Sequence, residues 1–452
     1  MLRPDSERVR AAILHSLPAG AAVCVAFSGG RDSTVLLHAL ARLRDEHRFI
    51  LRAVHINHGI QLAAGDWAEH CVATAGRLAV PCEALSVTVR NDRGKGLEAE
   101  AREARYTALR QVLGAGEWLL TAHHADDQLE TVLLHLFRGS GVGGLAGIPR
   151  DTVFGSGRLC RPLLDVAAES LAAYAAGYLL PAGLSWLTDP MNADAAYDRG
   201  FVRHAVTPIL RQRFPAAASA IGRTAALAAE AAALLDELAR ADARAAVDAN
   251  RVLLAAIEHL SPARQRNLVR VLARDRGWAT PPERRLREGL AQLLVAAPGR
   301  QPVLAWGGHE IRRFRGHLHL LDVAVPVASP PAPPTRWREG EQLDLGGIRG
   351  GLDCQRDTGA DGLAPRVVAG GLEVVFRSGG ERVRPGSDRH HRTLKYLFQS
   401  RGIVPWMRGH VPLIFAGGQL AAVADLWIAD WAAAAPGDAG LRIVWTGHAP
   451  IW

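Results

Sequence analysis

VCVAFSGGRDSTVLLHAL, residues 23–40, sets a glycine-lined turn between an apolar run and a helix-like stretch, and its reading decides the fold. Val23–Phe27 reads as a buried strand, and the stretch from about Asp32 to Arg44 reads as a helix. The adjacent Gly29 and Gly30 let backbone N–H groups close around an anion with no Cβ in the way. The following helix adds its N-terminal dipole and free amides, and Ser28 and Ser33 add hydroxyls. Asp32 cannot hold phosphate directly, so its carboxylate implies a cation such as Mg²⁺ between the two. The order of residues is neither Walker A nor the dinucleotide Gly-x-Gly-x-x-Gly. A plain turn with a serine or aspartate cap is the competing reading, and the strand before it and the Asp32-Ser33 pair weigh against it.

Outward from the turn the alternation continues. Phe49–Ile56, Cys82–Val89 and Trp118–Ala122 read as strands; Asp66–Leu78, Leu97–Leu113 and Asp126–Phe137 read as helices. This pattern predicts an α/β domain with a parallel sheet covered on both faces. Ligands of such sheets lie beyond the carboxyl ends of the strands, where the polar motifs fall. Residues 165–183 are expected to be helical, followed by a polar segment, Trp186–Arg203. An Ala-, Leu- and Arg-rich pattern from about Ala216 to Ala297 predicts a separate helical domain. Gln301–Asp322 reads as a short β pair, Pro326–Pro334 as a linker, and the remainder as a small α+β domain. The expected domains are residues 1–215 with the nucleotide site, a mainly helical 216–325, a linker and connecting segment 326–370, and 371–452.

A second constellation lies in LLTAHHADDQLET, residues 119–131. Leu129, Val132, Leu133, Leu136 and Phe137 form an apolar stripe at helical spacing, with Asp127 and Glu130 together off that stripe. His123 and His124 fall at the strand end. Two carboxylates and an imidazole there suit cation binding, adenylate binding or proton transfer from an amine. An acidic first turn serving only the helix dipole is the plain alternative. On Leu97–Leu113, Glu98, Arg102 and Arg105 share one face, and either arginine suits a phosphate oxygen. His55 and His58 follow a strand as well, with a weaker claim to a direct role.

At 452 residues the chain exceeds one hydrophobic core, and 48% hydrophobic with 22% charged residues is a globular balance. Five scattered cysteines with no Cys-x-x-Cys pair argue against a disulfide framework, a zinc ribbon or an iron–sulfur cradle. No apolar run is expected to span a bilayer and no secretory signal is legible, so the expected location is the cytoplasm. The formal net charge of +8 favours a polyanionic partner. From Arg377 to His410 there are eight Lys or Arg against two Asp or Glu, interleaved with aromatics, the mix that phosphate contact and base stacking require. Ser261–Arg300 has nine arginines against three acids, and a solvated face or an RNA face accounts for it equally well.

The phosphate turn looks like the PP-loop of the ATP pyrophosphatases, and the ordered set of motifs resembles the tRNA(Ile)-lysidine synthetase family. FSGGRDST, VHINHGI, AREARYTALR, HHADDQLETVLLHLFRGSG, RPLL, WLTDPMNADAAYDRGFVR and GGERVRPG…TLKYLFQ…VPWMRGHVPLI carry the resemblance through most of the chain. One departure is Arg199-Gly200, where the family has Arg-Asn. The resemblance implies an adenine nucleotide alpha hydrolase-like N-terminal fold and transfer of AMP from ATP to the wobble cytidine of a CAU-anticodon tRNA(Ile). Attack by the side-chain amine of L-lysine then gives lysidine. It implies ATP binding by Ser28, Gly29, Gly30, Arg31, Asp32 and Ser33, with Asp32, Arg105, His123, Asp127 and Glu130 lining the nucleotide and lysine site. It also implies tRNA contacts from the C-terminal domain, for which Arg382, Arg384, Arg392, Lys395 and Arg408 are the candidates, together with Arg199 and Arg203; a homodimer is compatible. The rival readings are a tRNA thiolation enzyme, which needs suitably spaced cysteines, a small-molecule amide synthetase, which needs no basic C-terminal domain, and a non-catalytic tRNA-binding protein.

Overall fold

A computed structural model of the chain describes residues 4–61, 63–89, 97–188, 197–248, 251–297, 300–323, 334–357, 362–386, 388–435 and 438–452. They form two compact units, Met1–Leu235 and Asp236–Trp452.

In the first unit, helix α1 (Pro4–Ser16) leads into β1 (Ala22–Ala26), α2 (Arg31–His47), β2 (Ile50–Asn57), α3 (Ala64–Arg77) and β3 (Cys82–Ser86). Helix α4 (Leu97–Val112), β4 (Trp118–Leu120) and α5 (Ala125–Phe137) follow. The strands Asp151–Phe154 and Gly157–Cys160, here β5 and β6, complete a six-stranded sheet of order β3-β2-β1-β4-β6-β5. Every neighbouring pair is parallel except β5 with β6. The parallel α/β expectation holds; β1 and β2 keep the lengths of their apolar runs, shifted by one residue, and β3 and β4 end before theirs. β1 lies between β2 and β4, so the chain leaves it in opposite directions along the sheet, and a crevice opens beyond the ends of β1 and β4.

The phosphate turn is anchored from both sides. Val23, Cys24 and Val25 of β1 are fully buried. Val35, Leu36, Leu37 and Leu40 of α2 are too, each contributing roughly 2 kcal/mol by burial. Phe27 N–H still donates to Val54 O at 2.9 Å, so the sheet ladder holds the backbone up to the residue before the turn.

After β6 the predicted helix 165–183 is Ala168–Tyr174 continued by a π-helical turn, Ala175–Leu179. Asp198–Phe201, Val202–Val206 and Thr207–Arg213 form one continuous helical run with a π turn in its middle. The 30-residue helix Ala217–Ala246 is alanine-rich and, by length and composition, long enough to cross a membrane. It corrects the expectation that no stretch reaches that length, although Arg223, Glu230, Asp236, Glu237, Arg240, Asp242 and Arg244 punctuate it.

In the second unit the helical middle region, with Pro262–Asp275 and Glu283–Val295, also carries a five-stranded antiparallel sheet. The expected β pair in Gln301–Asp322 is three strands, joined by Val247–Asp248 and Arg251–Leu253 from within the stretch read as helical. The C-terminal region is a second five-stranded sheet beside a three-stranded one. Thr335–Trp337 pairs with Leu372–Val375, and Gly351–Asp357 pairs with Gly440–Thr446. The stretch 326–370, expected as linker and connection, therefore contributes strands from Thr335 onward, and Trp337 sits in the same core as Leu372 and Phe398. The Pro326–Pro333 part of the expected linker lies outside the described residues.

Candidate active site

Gly29 has φ +79°, a left-handed conformation, and a Cβ there would lie 2.8 Å from both Cys71 Sγ and Leu187 Cδ1. Glycine is thus required by backbone and by space. Leu187 N–H donates to Gly29 O at 2.8 Å, pinning the turn from outside. Ser33 and Thr34 turn their hydroxyls back onto Gly30 O, both at 2.9 Å, and Ser28 Oγ lies 3.0 Å from Ser33 Oγ. No side chain caps the start of α2, so its first amides stay available to an anion. Gly29→Ala is expected to cost on the order of 3 kcal/mol from strain and overpacking together. A raised Kd for ATP, read by calorimetry, checks it; affinity within twofold of the parent would contradict the reading of this turn.

The loops after β1 and β4 meet over one imidazole. His124 Nε2 lies 3.5 Å from Asp32 Oδ2 and 3.5 Å from Asp127 Oδ2. His124 is the N-cap of α5: Asp126 N–H donates to His124 Nδ1 at 3.3 Å, and His124 N–H donates to Asp127 Oδ2 at 2.9 Å. The neutral tautomer with hydrogen on Nε2 satisfies all of these contacts. Burial pushes His124 down, but the Asp32 hydrogen bond and the charges of Asp127, Asp32 and Asp126 outweigh it, and its pKa is raised. Asp32 and Asp127 have the opposite balance. Burial pushes each carboxyl up, and His124 chiefly, with Arg31 at Asp32 and with His123 and Arg199 at Asp127, brings both below the usual range. The chain thus holds two ionised carboxylates at the crevice.

Glu130, one turn further on, is 1% exposed, deeper than Leu133 on the apolar stripe, while Leu136 and Phe137 at the stripe's end are exposed. Its charge is matched from the helical run after Asp198. Arg199 Nε and Arg203 Nε donate to the two Glu130 oxygens at 2.9 and 2.7 Å, and Arg199 Nη2 reaches Asp127 Oδ1 at 3.0 Å. Arg203 is raised because hydrogen bonding and the charges of Glu130, Asp127 and Asp32 outweigh its burial. Two arginines and two buried acids therefore form one network at the edge of the phosphate loop. Asp126 is paired instead with Arg211 at 2.6 Å, its other oxygen 4.0 Å from His124 Nδ1.

Three family models match the chain: the PP-loop domain over residues 4–210, the TilS substrate binding domain over 253–319, and the TilS substrate C-terminal domain over 372–445. A tRNA(Ile)-lysidine synthase from Alkalilimnicola ehrlichii is 46% identical, covering 94% of this chain and 94% of that protein. The chain belongs to the tRNA(Ile)-lysidine synthase family. Family members from Methylococcus capsulatus, 40% identical over 94% of this chain and 97% of theirs, and Coxiella burnetii, 38% over 92% and 91%, agree. The chain is accordingly an ATP-using enzyme of tRNA modification.

Within this family frame, the structure brings Ser28 to Ser33, Asp32, Asp127 and Glu130 together. It adds His124, which sequence reasoning had set beside His123 without a role; its position as N-cap between two aspartates was the available signal. His123 turns instead to Thr121 Oγ1 at 2.8 Å, and burial, with Arg161, Arg199 and Arg102 opposing Asp127, lowers its pKa to about 4. Arg102 and Arg105 are both exposed: Arg102 lies over the Tyr106 ring at 5.0 Å, and Arg105 donates to His58 Nε2 at 3.2 Å. His55 is tied to Phe27 O at 2.9 Å. Asp189 and Asn192, within the WLTDPMNADAAYDRGFVR stretch that fits the family, lie outside the described residues, as does the side chain of Glu98.

Arg199 and Arg203, expected on RNA, are engaged with the acids of α5. Arg384 pairs with Asp430, and Arg392 pairs with Asp388 at 2.8 Å while lying over the Tyr396 ring. Arg382 and Lys395 are exposed. In the Ser261–Arg300 stretch, Arg264, Arg266, Arg270, Arg274 and Arg284 all pair with acids, which favours the solvated-face reading there. All five cysteines are free, and burial pushes the thiols of Cys24 and Cys71 up to about 12 and those of Cys82 and Cys160 to about 11. Such thiols are poor nucleophiles and metal ligands, which disfavours sulfur chemistry. Among the described residues no group of three or more His, Cys, Asp or Glu is arranged to hold a metal ion.

Proposed function

We propose that the crevice between β1 and β4 carries both halves of lysidine formation on tRNA(Ile), with the nucleotide on the phosphate turn and lysine at the Asp127–Glu130 network. The wobble cytidine's C2 carbonyl oxygen attacks the α-phosphorus of ATP, the α–β bridging bond breaks and pyrophosphate leaves. The lysine ε-amine, having lost a proton, then attacks C2; the C2–O bond breaks, AMP leaves with the oxygen, and the second amine proton is released. An amide-like oxygen is a poor leaving group, and its phosphate ester is a good one.

The residues divide this work by their chemistry. The turn amides with Ser28 and Ser33 hold phosphate oxygens, so catalysis there is positioning and charge stabilisation. Asp32 supplies the hard oxygen that a Mg²⁺ carried on the ATP phosphates requires, and the ion would offset charge on those phosphates. His124 holds Asp32 and Asp127 in one arrangement. Free lysine has a carboxylate and ammonium groups, and the network offers arginines to the first and carboxylates to the second. The basic C-terminal region takes the tRNA, whose substrate form has a CAU anticodon, and the setting is cytoplasmic. Residues 1–215 do the chemistry and the later segments hold RNA.

The observation that carries the reading is the meeting of Asp32 and Asp127 over His124 at 3.5 Å each, which ties the phosphate loop to the acid pair. Labelled lysine supplied with ATP and either CAU-anticodon tRNA(Ile) or elongator methionine tRNA tests it. Stable label in the isoleucine tRNA alone is expected; label in neither RNA would refute it.

A further inference from the structure

Three arginines converge on the end of one helix in the C-terminal region, and one comes from the middle sheet. Strands His309–Phe314 and His317–Asp322 pair with Phe314 opposite His317, leaving Arg315-Gly316 as a two-residue turn. Both turn residues are left-handed, with φ +44° and +76°. That turn geometry favours Asn-Gly, and an arginine in its first position is strained by roughly 1 kcal/mol. Strain held at a surface turn points to a use for the side chain.

The Arg315 guanidinium reaches Gln399 O, near the end of the helix Leu394–Arg401. Gly402 closes that helix with φ +84°, and a Cβ there would lie 2.5 Å from Arg315 Nη1, so glycine makes the room. Arg408 Nε donates to Ile403 O at 2.9 Å, on the same closing turn. Arg377 lies 6.0 Å from the ring of Phe398, inside that helix. The three charges feel one another: burial and then the charges of Arg377 and Arg315 lower the pKa of Arg408.

Little offsets this convergence. Among the described residues no acid forms an ion pair with Arg315 or Arg408. Glu381 is the one acid beside the three: its Oε2 lies 3.4 Å from Arg377 Nε, while its Oε1 accepts from Ser378 N, Gly379 N and Ser378 Oγ. Each carbonyl anchor uses a fraction of a guanidinium's five N–H groups and fixes its orientation. Arg315 and Arg408, anchored on carbonyls with spare donors and no paired acid, suit a tetrahedral oxyanion, which accepts paired N–H groups, and Arg377 adds a third charge beside them.

We propose that Arg315, Arg377 and Arg408 clamp one RNA backbone phosphate, so that the substrate binding and C-terminal domain regions grip the same tRNA strand. The clamp rests on the reading that this chain binds tRNA. Arg315→Asn is the decisive variant, because asparagine suits the left-handed turn and keeps the hairpin. The variant is expected to unfold at or above the parent temperature and to bind tRNA roughly tenfold more weakly at low salt. The slope of log affinity against log salt should fall by about one phosphate contact. The double variant with Arg408→Gln should lose no further slope, since the two share one phosphate. ATP affinity without tRNA should stay as in the parent, which separates an RNA phosphate from a nucleotide's. Parental tRNA affinity or an unchanged slope in Arg315→Asn, with the parent chain incorporating lysine normally, overturns the clamp alone. A parent chain that binds no tRNA and incorporates no lysine overturns the reading beneath it.

Discussion

Asp32→Ala should bring lysine incorporation to background, a fall of at least roughly a thousandfold, because it removes the carboxylate that would hold a Mg²⁺ on the reacting phosphates. The carboxylate has two sides: Oδ1 accepts from Arg31 Nε at 2.9 Å, and Oδ2 faces His124 Nε2 at 3.5 Å. Removing it frees Arg31 to move and takes away the chief hydrogen-bonding reason that the His124 pKa is raised. Asp32→Asn keeps the shape and discards the charge. It should lose most of the rate too, which separates electrostatics from collapse of the loop. Pyrophosphate release with tRNA and ATP but no lysine isolates the adenylation half, and both variants should fail there. A rate within tenfold of the parent in either would remove Asp32 from the chemistry.

Why these groups were legible in part is a matter of distance along the chain. The phosphate turn reads directly, since strand, glycines and helix are contiguous and local geometry dictates their use. Asp127 and Glu130 read as a pair because helical spacing puts them on one face. Their partners did not read, because Arg199 and Arg203 arrive 69 to 76 residues later and no periodicity reports a tertiary ion pair. The choice between Arg102 and Arg105 was likewise a question of which neighbour each meets: Arg102 lies over Tyr106 and Arg105 reaches His58. In the second unit the short strands from Val247 and Thr335 carry two to seven residues each, among alanines or glycines, too little alternation for a strand signal.

Glu130→Ala separates the two halves of the reaction. Glu130 is 1% exposed and holds both guanidiniums through Nε, whereas Asp127 takes only their Nη2 atoms at 3.0 and 3.3 Å. Breaking a buried pair from one side leaves charge uncompensated, at a cost of about 3 kcal/mol once the part-exposure of the arginines is allowed for. With Glu130 gone, Asp127 is the remaining acid for two arginines and is no longer available to an incoming ammonium. The KM for lysine should therefore rise by roughly a hundredfold, while pyrophosphate release without lysine stays within tenfold, the phosphate turn being untouched. Glu130→Ala with Arg203→Met should regain much of the lost stability, read by thermal unfolding, yet not the lysine KM, because repairing the charge balance does not restore a carboxylate for the amine. A double variant that recovered both would make the network a structural clasp and move the lysine site elsewhere.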